Sequence, residues 1–463
     1  MAIVSKNDHS KKSKNKLGYF DPTVAGIDIG ARLIHVAVPD GKKGAVVEEF
    51  GTETPQLMEI ANTLLKAGVK TAVMEATGVY WVPLYEILED CGLEAVLVDA
   101  KSVKNVPGRK TDTLDCQWIQ TLWSNGMLNA AYRPPRDRIT LRTYLRDRQN
   151  IIKIRRDALL QIEKALQLMN IKLSSVLSDI AGVSGMDIIR AIADGEKDPH
   201  KLAAKRNSGT KREEADFIEA LTGNFQEGHL HTFRRALRTY DYAANEIEVT
   251  DKLIEQELEK LPTVVSTPPP ERQTKKSPIY QTARKPKKNQ LNFDARTLLW
   301  QKTEIDLTAI PGIEASTALL IFAELGGFNV DAWKSHKEFS SWLKLCPGNN
   351  ISGGRRRKCR SQTCVNYITQ ALRMAAMSAK HSKSSVGQRI RGISGRTDNM
   401  RGIKAGAHKL AILIYGMCKH GWAYHEKGED YYEKKNKERR VKALKKLAKE
   451  LGYNVAMTFA KTT

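Results

Sequence analysis

The strongest constraint on this chain is a change of hydrophobic period between residues 23 and 123. "TVAGIDIG", "LIHVAVPD" and "GAVVEEF" are short runs rich in β-branched residues, with glycine near their turns, and they predict three consecutive strands in a meander. "PQLMEIANTLLKAG" then turns apolar at helical spacing, with proline at its start and glycine at its end. The order continues as strand "TAVMEAT", helix "YWVPLYEILEDCG", strand "EAVLVDA" and a helix from about Thr111 to Trp123. Three strands followed by alternating helix and strand imply a mixed sheet with helices on its faces.

That order is the one found in the α/β ribonuclease H-like (RuvC-like) nuclease fold, here expected over residues 22–136. Beyond it the period changes again. Leu145, Ile152, Leu159, Leu166 and Leu173 recur every seven residues, with Ile162 and Met169 on the alternate seam, which is a coiled-coil pattern. Arg148 and Arg155 interrupt it, so loose or wet packing is expected there. A second run carries Leu230, Phe233, Leu237, Tyr240, Ala244, Ile247, Ile254, Leu258 and Leu261. The two segments, within residues 137–262 and split by a small globular insertion, are able to pair with each other or with a second subunit; the heptads leave both open.

"TPPPERQTKKSPIYQTARKPKKNQ" reads as a Pro/Lys-rich linker within residues 263–293. A mainly α domain follows over residues 294–430. Residues 1–21 and 431–463 form basic tails, the second a basic helix that is either a solvated surface or a nucleic-acid contact.

A net charge of +23 over 463 residues favours a polyanionic partner, nucleic acid or an acidic membrane surface. Nucleic acid is the better match, because no stretch approaches the roughly 20 apolar residues of a membrane span. "MAIVSKNDHSKKSKNK" also lacks the apolar core of a signal peptide, so a cytoplasmic, nucleoid-associated protein is expected. The six cysteines show no zinc spacing; Cys359 and Cys364 have no partner ligands nearby in sequence.

Against this positive background four acids stand out. Asp28 lies inside the first strand, Glu75 ends the strand "TAVMEAT", and Asp112 and Asp115 open the helix after the basic stretch "KNVPGRK". In an open α/β sheet, strand ends and helix starts converge on one crevice. Hard carboxylate oxygens suit Mg²⁺, and a pair of such ions stabilises both the attacking and leaving oxygens of a phosphodiester. For Asp112 alone, a helix cap is an equal reading. For Asp28 it is weaker, because an unpaired carboxylate between Ile27 and Ile29 is costly to bury.

"GIDIGARLIHVAV", "VMEATGVYWVPLYEILEDCG" and "KNVPGRKTDTLDCQWIQTL" closely resemble the N-terminal domain of the DEDD insertion-sequence transposases of the IS-one-ten family, in its IS-eleven-eleven-like branch. The resemblance places the family's metal ligands on Asp28, Glu75, Asp112 and Asp115, with Mg²⁺ as the implied cofactor. Arg109 and Lys110 in the same stretch are candidate nucleic-acid contacts.

Further on, "LTAIPGIEASTALLIFAELGG" is similar to a helix-hairpin-helix whose Pro-Gly turn offers backbone N–H groups to phosphate, except that Glu314 stands where a second glycine is usual. "WLKLCPGNNISGGRRRKC" sets Ser352 before two glycines and Arg355, Arg356, Arg357 and Lys358. Residue chemistry alone reads Ser352 as a loop serine. The resemblance implies instead the nucleophile that forms a phosphoserine link to DNA. "SGRTDNMRGIKAGAHKLAILIYGM" completes the pattern, with Lys404 and Lys409 as candidate contacts and His408 packed or phosphate-facing rather than a general base.

The family resemblance thus implies a DNA transposase or recombinase of a mobile element, acting on target and donor DNA, guided by a structured RNA from the same element (a bridge RNA), and assembled as a homo-oligomer through the coiled coil. The alternatives are a Mg²⁺-dependent junction-resolving endonuclease with water as nucleophile, or a non-catalytic nucleic-acid-binding scaffold.

Overall fold

The computed structural model describes residues 20–452 except 42–43, 77, 100–102, 104–111, 208, 211, 271–288, 347–350, 353–354, 357–365, 422 and 424–427; at residues 112–114, 351–352, 355–356 and several in 428–440 only the backbone assignment is described. The chain divides into two compact units, residues 1–133 and 134–463.

In the first unit, β1 (Val24–Ile29), β2 (Leu33–Pro39) and β3 (Ala45–Gly51) form the antiparallel meander. Helix α1 (Thr54–Lys66), strand β4 (Thr71–Glu75), helix α2 (Trp81–Asp90), strand β5 (Glu94–Val98) and helix α3 (Asp112–Ser124) follow. The sheet order is β3-β2-β1-β4-β5, with β4 parallel to both β1 and β5. Each connection from β1 to β4 and from β4 to β5 is long enough to hold a crossover helix, which parallel pairing requires. This mixed five-stranded sheet agrees with the RuvC-like fold read from the sequence.

Alternation along the strands sorts side chains to two faces. Ala25, Ile27, Ala72, Met74, Ala95 and Leu97 pack with α1 and α2 residues such as Ile60, Leu64, Leu84 and Leu88. Val24, Val73, Val96 and Val98 pack on the other face with Ile119 and Leu122 of α3.

Among the described residues, the regular structure of the second unit is helical apart from one short hairpin. Helix α4 (Ile139–Leu168) and the later α9 (Glu227–Glu259) are its two long helices. Between them lie α5 (Leu173–Val176), α6 (Val183–Ala193), α7 (Pro199–Ala203) and α8 (Glu214–Leu221). Arg148 bonds Asp251 while Gln161 bonds Arg235, so α4 and α9 run antiparallel within one chain. Their buried stripe departs from the strict heptad. Ile151 and Ala158 are buried where the seam puts Ile152 and Leu159, because a 3.6-residue turn drifts against a seven-residue repeat. The insertion helices close one end of the pair: Ile188, Leu202, Phe217 and Leu221 share a core with Ile162, Leu166, Leu230 and Phe233.

The loose packing expected at Arg148 is not found. Its side chain is buried, and besides Asp251 it donates to the carbonyls of Asn289 and Gln290. Asp251 also accepts the Asn292 N–H at 3.1 Å, and Arg155 bonds the Asn289 side chain at 2.5 Å. The C-terminal end of the linker is therefore strapped to the helix pair, while residues 271–288 lie outside the described residues.

Helices α10 (Ala295–Thr303), α11 (Ala315–Glu324), α12 (His336–Trp342), α13 (Tyr367–Lys380), α14 (Ser385–Ser394), α15 (Asn399–His420) and α16 (Gly428–Glu450) complete the unit, with strands β6 (Ile351–Ser352) and β7 (Arg355–Arg356) between α12 and α13. Asp294, Ser335, Asn366, Ser384 and Asp398 cap their helices through side-chain oxygens, as short polar residues at such starts do.

The expected helix-hairpin-helix is altered. The element before the Pro-Gly turn is a single 3-10 turn, Leu307–Ala309. Gly312 has φ +89°, and a Cβ there would lie 2.3 Å from the Ala375 carbonyl oxygen of α13. Close packing against α13 thus accounts for this glycine.

Candidate nuclease site and comparisons

Asp28 and Glu75 are neighbours across two parallel strands. Ile27 pairs with Met74 at a constant offset, so the next residues in register are Asp28 and Glu75. Both alternate onto the face that carries Val24 and Val73, the face covered by α3, and both lie at the C-terminal ends of their strands.

Helix α3 is pressed onto that face by a missing side chain. A Cβ on Gly26 would fall 2.0 Å from the Cys116 carbonyl oxygen and 2.7 Å from the Gln120 nitrogen. Glycine alone lets helix and strand backbones approach so closely. Gln120, itself buried, then donates through Nε2 to the Val24 carbonyl at 2.6 Å, and Gln117 donates to the Ala45 carbonyl at 3.0 Å. The first turns of α3, with Asp112 and Asp115, are thereby held at the sheet end where Asp28 and Glu75 stand.

Cys116 registers the convergence. Its fully buried thiol is pushed up to about 11, first by burial, with the nearby carboxylates of Asp28 and Asp115 adding to the rise. One sulfur therefore feels an acid from β1 and an acid from α3. Of the four acids in the sequence reading, the structure places Asp28, Glu75 and Asp115 on one face and at one end of the sheet. The side chain of Asp112 lies outside the described residues, though its backbone begins α3.

As a test of metal fit, the donor set is all carboxylate oxygen, which suits a hard divalent cation. Among the described residues no three His, Cys, Asp or Glu side chains stand close enough to hold a metal ion. Gly26, Gln120 and Cys116 were not singled out by the sequence reading. The signal available was the small residue two positions before Asp28 in "VAGID", which marks a close approach of backbone.

In the second unit Ser352 and Arg355 pair across the β6–β7 hairpin, as do Ile351 and Arg356. This register sets the backbones of Ser352 and Arg355 opposite each other. Their side chains, and all of Arg357, Lys358, Cys359 and Cys364, lie outside the described residues, as do Arg109 and Lys110. Lys404, His408 and Lys409 are half-buried on α15. Burial and the charges of Arg389, His336 and Lys409 lower the His408 pKa.

No described helix is long and apolar enough to cross a membrane. No curated protein matches the chain. Family models do: a DEDD transposase model of the IS110 type matches residues 25–171, and the model of the Transposase IS116/IS110/IS902 family matches residues 306–391. The first match covers the sheet that carries Asp28 and Glu75 and the helix that carries Asp115; the second runs from the Pro-Gly turn through the Ser352 hairpin to α14. Sheet order and both matched regions therefore agree, and the chain belongs to the IS110 family of transposases.

Proposed function

We propose that this transposase cuts and rejoins DNA with Asp28, Glu75, Asp112 and Asp115 as the ligands of divalent metal and Ser352 as the nucleophile. The observation that supports the acid assignment is the juxtaposition of Asp28 and Glu75 on adjacent strands beneath the α3 start that carries Asp115. Mg²⁺ bound there would supply charge stabilisation for phosphodiester exchange. Ser352 Oγ, losing its proton, attacks phosphorus; the bond to one DNA hydroxyl breaks, and that hydroxyl takes up a proton. The resulting phosphoserine diester keeps one ester bond for one broken, so rejoining needs no external energy source.

The role of the cationic residues follows from charge. Arg355, Arg356, Arg357 and Lys358 flank the serine in sequence and would hold phosphate oxygens, Arg in bidentate fashion. Arg109, Lys110, Lys404 and Lys409 extend that positive surface. A net charge of +23 supports both a DNA substrate and a structured guide RNA encoded by the same element. Assembly as a homo-oligomer would let the acids and serine of one reaction come from different subunits.

Covalent trapping tests this reading. The wild-type protein, quenched with denaturant during DNA cleavage in Mg²⁺, is expected to yield a protein–DNA adduct mapped to Ser352, absent from Ser352→Ala and from Asp28→Asn. Cleavage by Ser352→Ala at the wild-type rate without an adduct would establish the junction-resolving endonuclease instead. Nucleic-acid binding without any Mg²⁺-dependent cleavage would leave only the scaffold reading.

A further inference from the structure

One face of α15 gathers positive charge from three elements. Lys404 and His408 are four residues apart and share a helix face. Cys346, at the end of the segment after α12, brings its Sγ to 4.0 Å from His408 Nε2, and its thiol also feels the charge of Lys404. Arg389 from α14 and His336 from α12, both exposed, act on His408 together with Lys409 of its own helix. Helix α13, the other element packed on α15, meets it through Ala376 against Gly406, and its Lys380 is bonded to Asn399 at the N-terminal end of α15. Every charged group found to act on His408 is thus basic: Arg389 and Lys409 are cations, and His336 adds positive charge when protonated.

Like charges held together on a half-buried face repel, and an anion between them relieves that repulsion. A single chloride-sized ion would serve this, but the position of the cluster favours a longer polyanion. Cys346 leads directly into residues 347–352, so Ser352 lies at most about 21 Å along an extended chain from the His408 contact. That span is a few phosphates along a nucleic-acid strand.

We infer that the Lys404–His408 face of α15, with Arg389 and His336, seats a backbone phosphodiester of the nucleic acid handled at Ser352, and that a proton on His408 tightens the grip. The inference rests on the function proposed above for Ser352 and adds to it a proton-linked subsite outside the reacting centre. At neutral pH the imidazole is neutral and offers one N–H to the phosphate. As pH falls it gains a proton, and the site then presents one more positive charge. Binding of phosphate in turn raises the His408 pKa, by reciprocity.

The experiment uses the full-length Ser352→Ala protein, so that binding is read without strand cleavage. Affinities for a short DNA duplex and for an RNA duplex of the same length are measured between pH 8 and pH 6 over a range of salt concentrations. Binding is expected to tighten severalfold, up to about tenfold for a one-unit shift of a single imidazole. His408→Gln, placed in that protein, should flatten the pH profile. Arg389→Gln should weaken binding and reduce its salt dependence, and in the free protein it should move the His408 imidazole NMR titration upward. This second variant alters an exposed side chain and keeps the test decisive if His408→Gln fails to fold. A profile lost with DNA assigns the phosphate to DNA, and one lost with RNA assigns it to RNA. Equal pH dependence in parent and His408→Gln, or a His408 titration unmoved by either duplex, overturns the subsite. Adduct trapping with the wild-type protein reports separately on Ser352, so failure of one reading leaves the other testable.

Discussion

Arg148 and Asp251 form a buried ion pair across the antiparallel helices α4 and α9, the arginine side chain 5% and the aspartate 1% exposed. Removing one partner would leave the other charge buried without its ionic counterpart. Asp251→Ala is therefore expected to cost about 3–5 kcal/mol, and Arg148→Met with Asp251→Leu considerably less. Chemical denaturation of the three proteins checks this; equal losses for the single and double variants would contradict it.

Gly26 is the position at which the sheet admits α3. Gly26→Ala should force helix and strand apart at a cost of about 1–3 kcal/mol. Because α3 carries Asp115, the Mg²⁺-dependent DNA cleavage proposed above should fall far more than DNA binding. Retained cleavage with a normal melting temperature would show that the helix does not need this contact.

Burial beside Asp28 and Asp115 makes Cys116 a poor thiolate, its pKa raised from 9.0 to about 11. A thiol-alkylating reagent at pH 8 should modify exposed Cys91 and spare Cys116, as peptide mass spectrometry would read. The raised folded-state pKa has a sign for stability. The unfolded chain loses this proton first, so the contribution is complete below about pH 9 and is lost as pH rises toward 11. Cys116→Ser should lessen that alkaline loss.

Glu324 on α11 ties two turns of α4 to the C-terminal helices. Its carboxylate accepts from Arg142 at 2.9 Å and from Arg146 at 2.7 and 3.0 Å, and Arg146 also lies 4.5 Å from the centre of the Tyr367 ring at the start of α13. The arginines are 26% and 34% exposed, so solvent screens part of the attraction. Glu324→Gln is expected to lose about 1–3 kcal/mol. Hydrogen exchange should quicken at the α4–α11 contact; unchanged exchange there would assign the stability loss elsewhere.

Much of this protein was legible in one dimension because the information is local. The period of two in "GIDIG" and "LIHVAV", and of 3.6 in "PQLMEIANTLLKAG", fixes which side chains must be buried, and so which segments become strands or helices. An aspartate in an apolar strand and two more at a helix start mark the acids without knowledge of their distances. The heptads named two long helices that pack. What they left open was the partner; within this chain the two helices pack on each other, with the Arg148–Asp251 ion pair beside apolar contacts such as Ile162 and Leu166 with Leu230 and Phe233.

Tertiary structure decided the rest, since it depends on groups far apart in sequence. Only the parallel register of β1 on β4 sets Asp28 beside Glu75, 47 residues later. Only the fit of Cys116 and Gln120 onto a glycine brings α3 to that pair, because the decisive feature is an absent Cβ. The Pro-Gly turn shows the same physics: its glycine has φ +89° and leaves no room for a Cβ against the backbone of α13, a contact that the sequence of the turn does not encode. And the charge around His408 comes from α12, α14 and α15, whose proximity is a property of packing that no spacing of residues encodes.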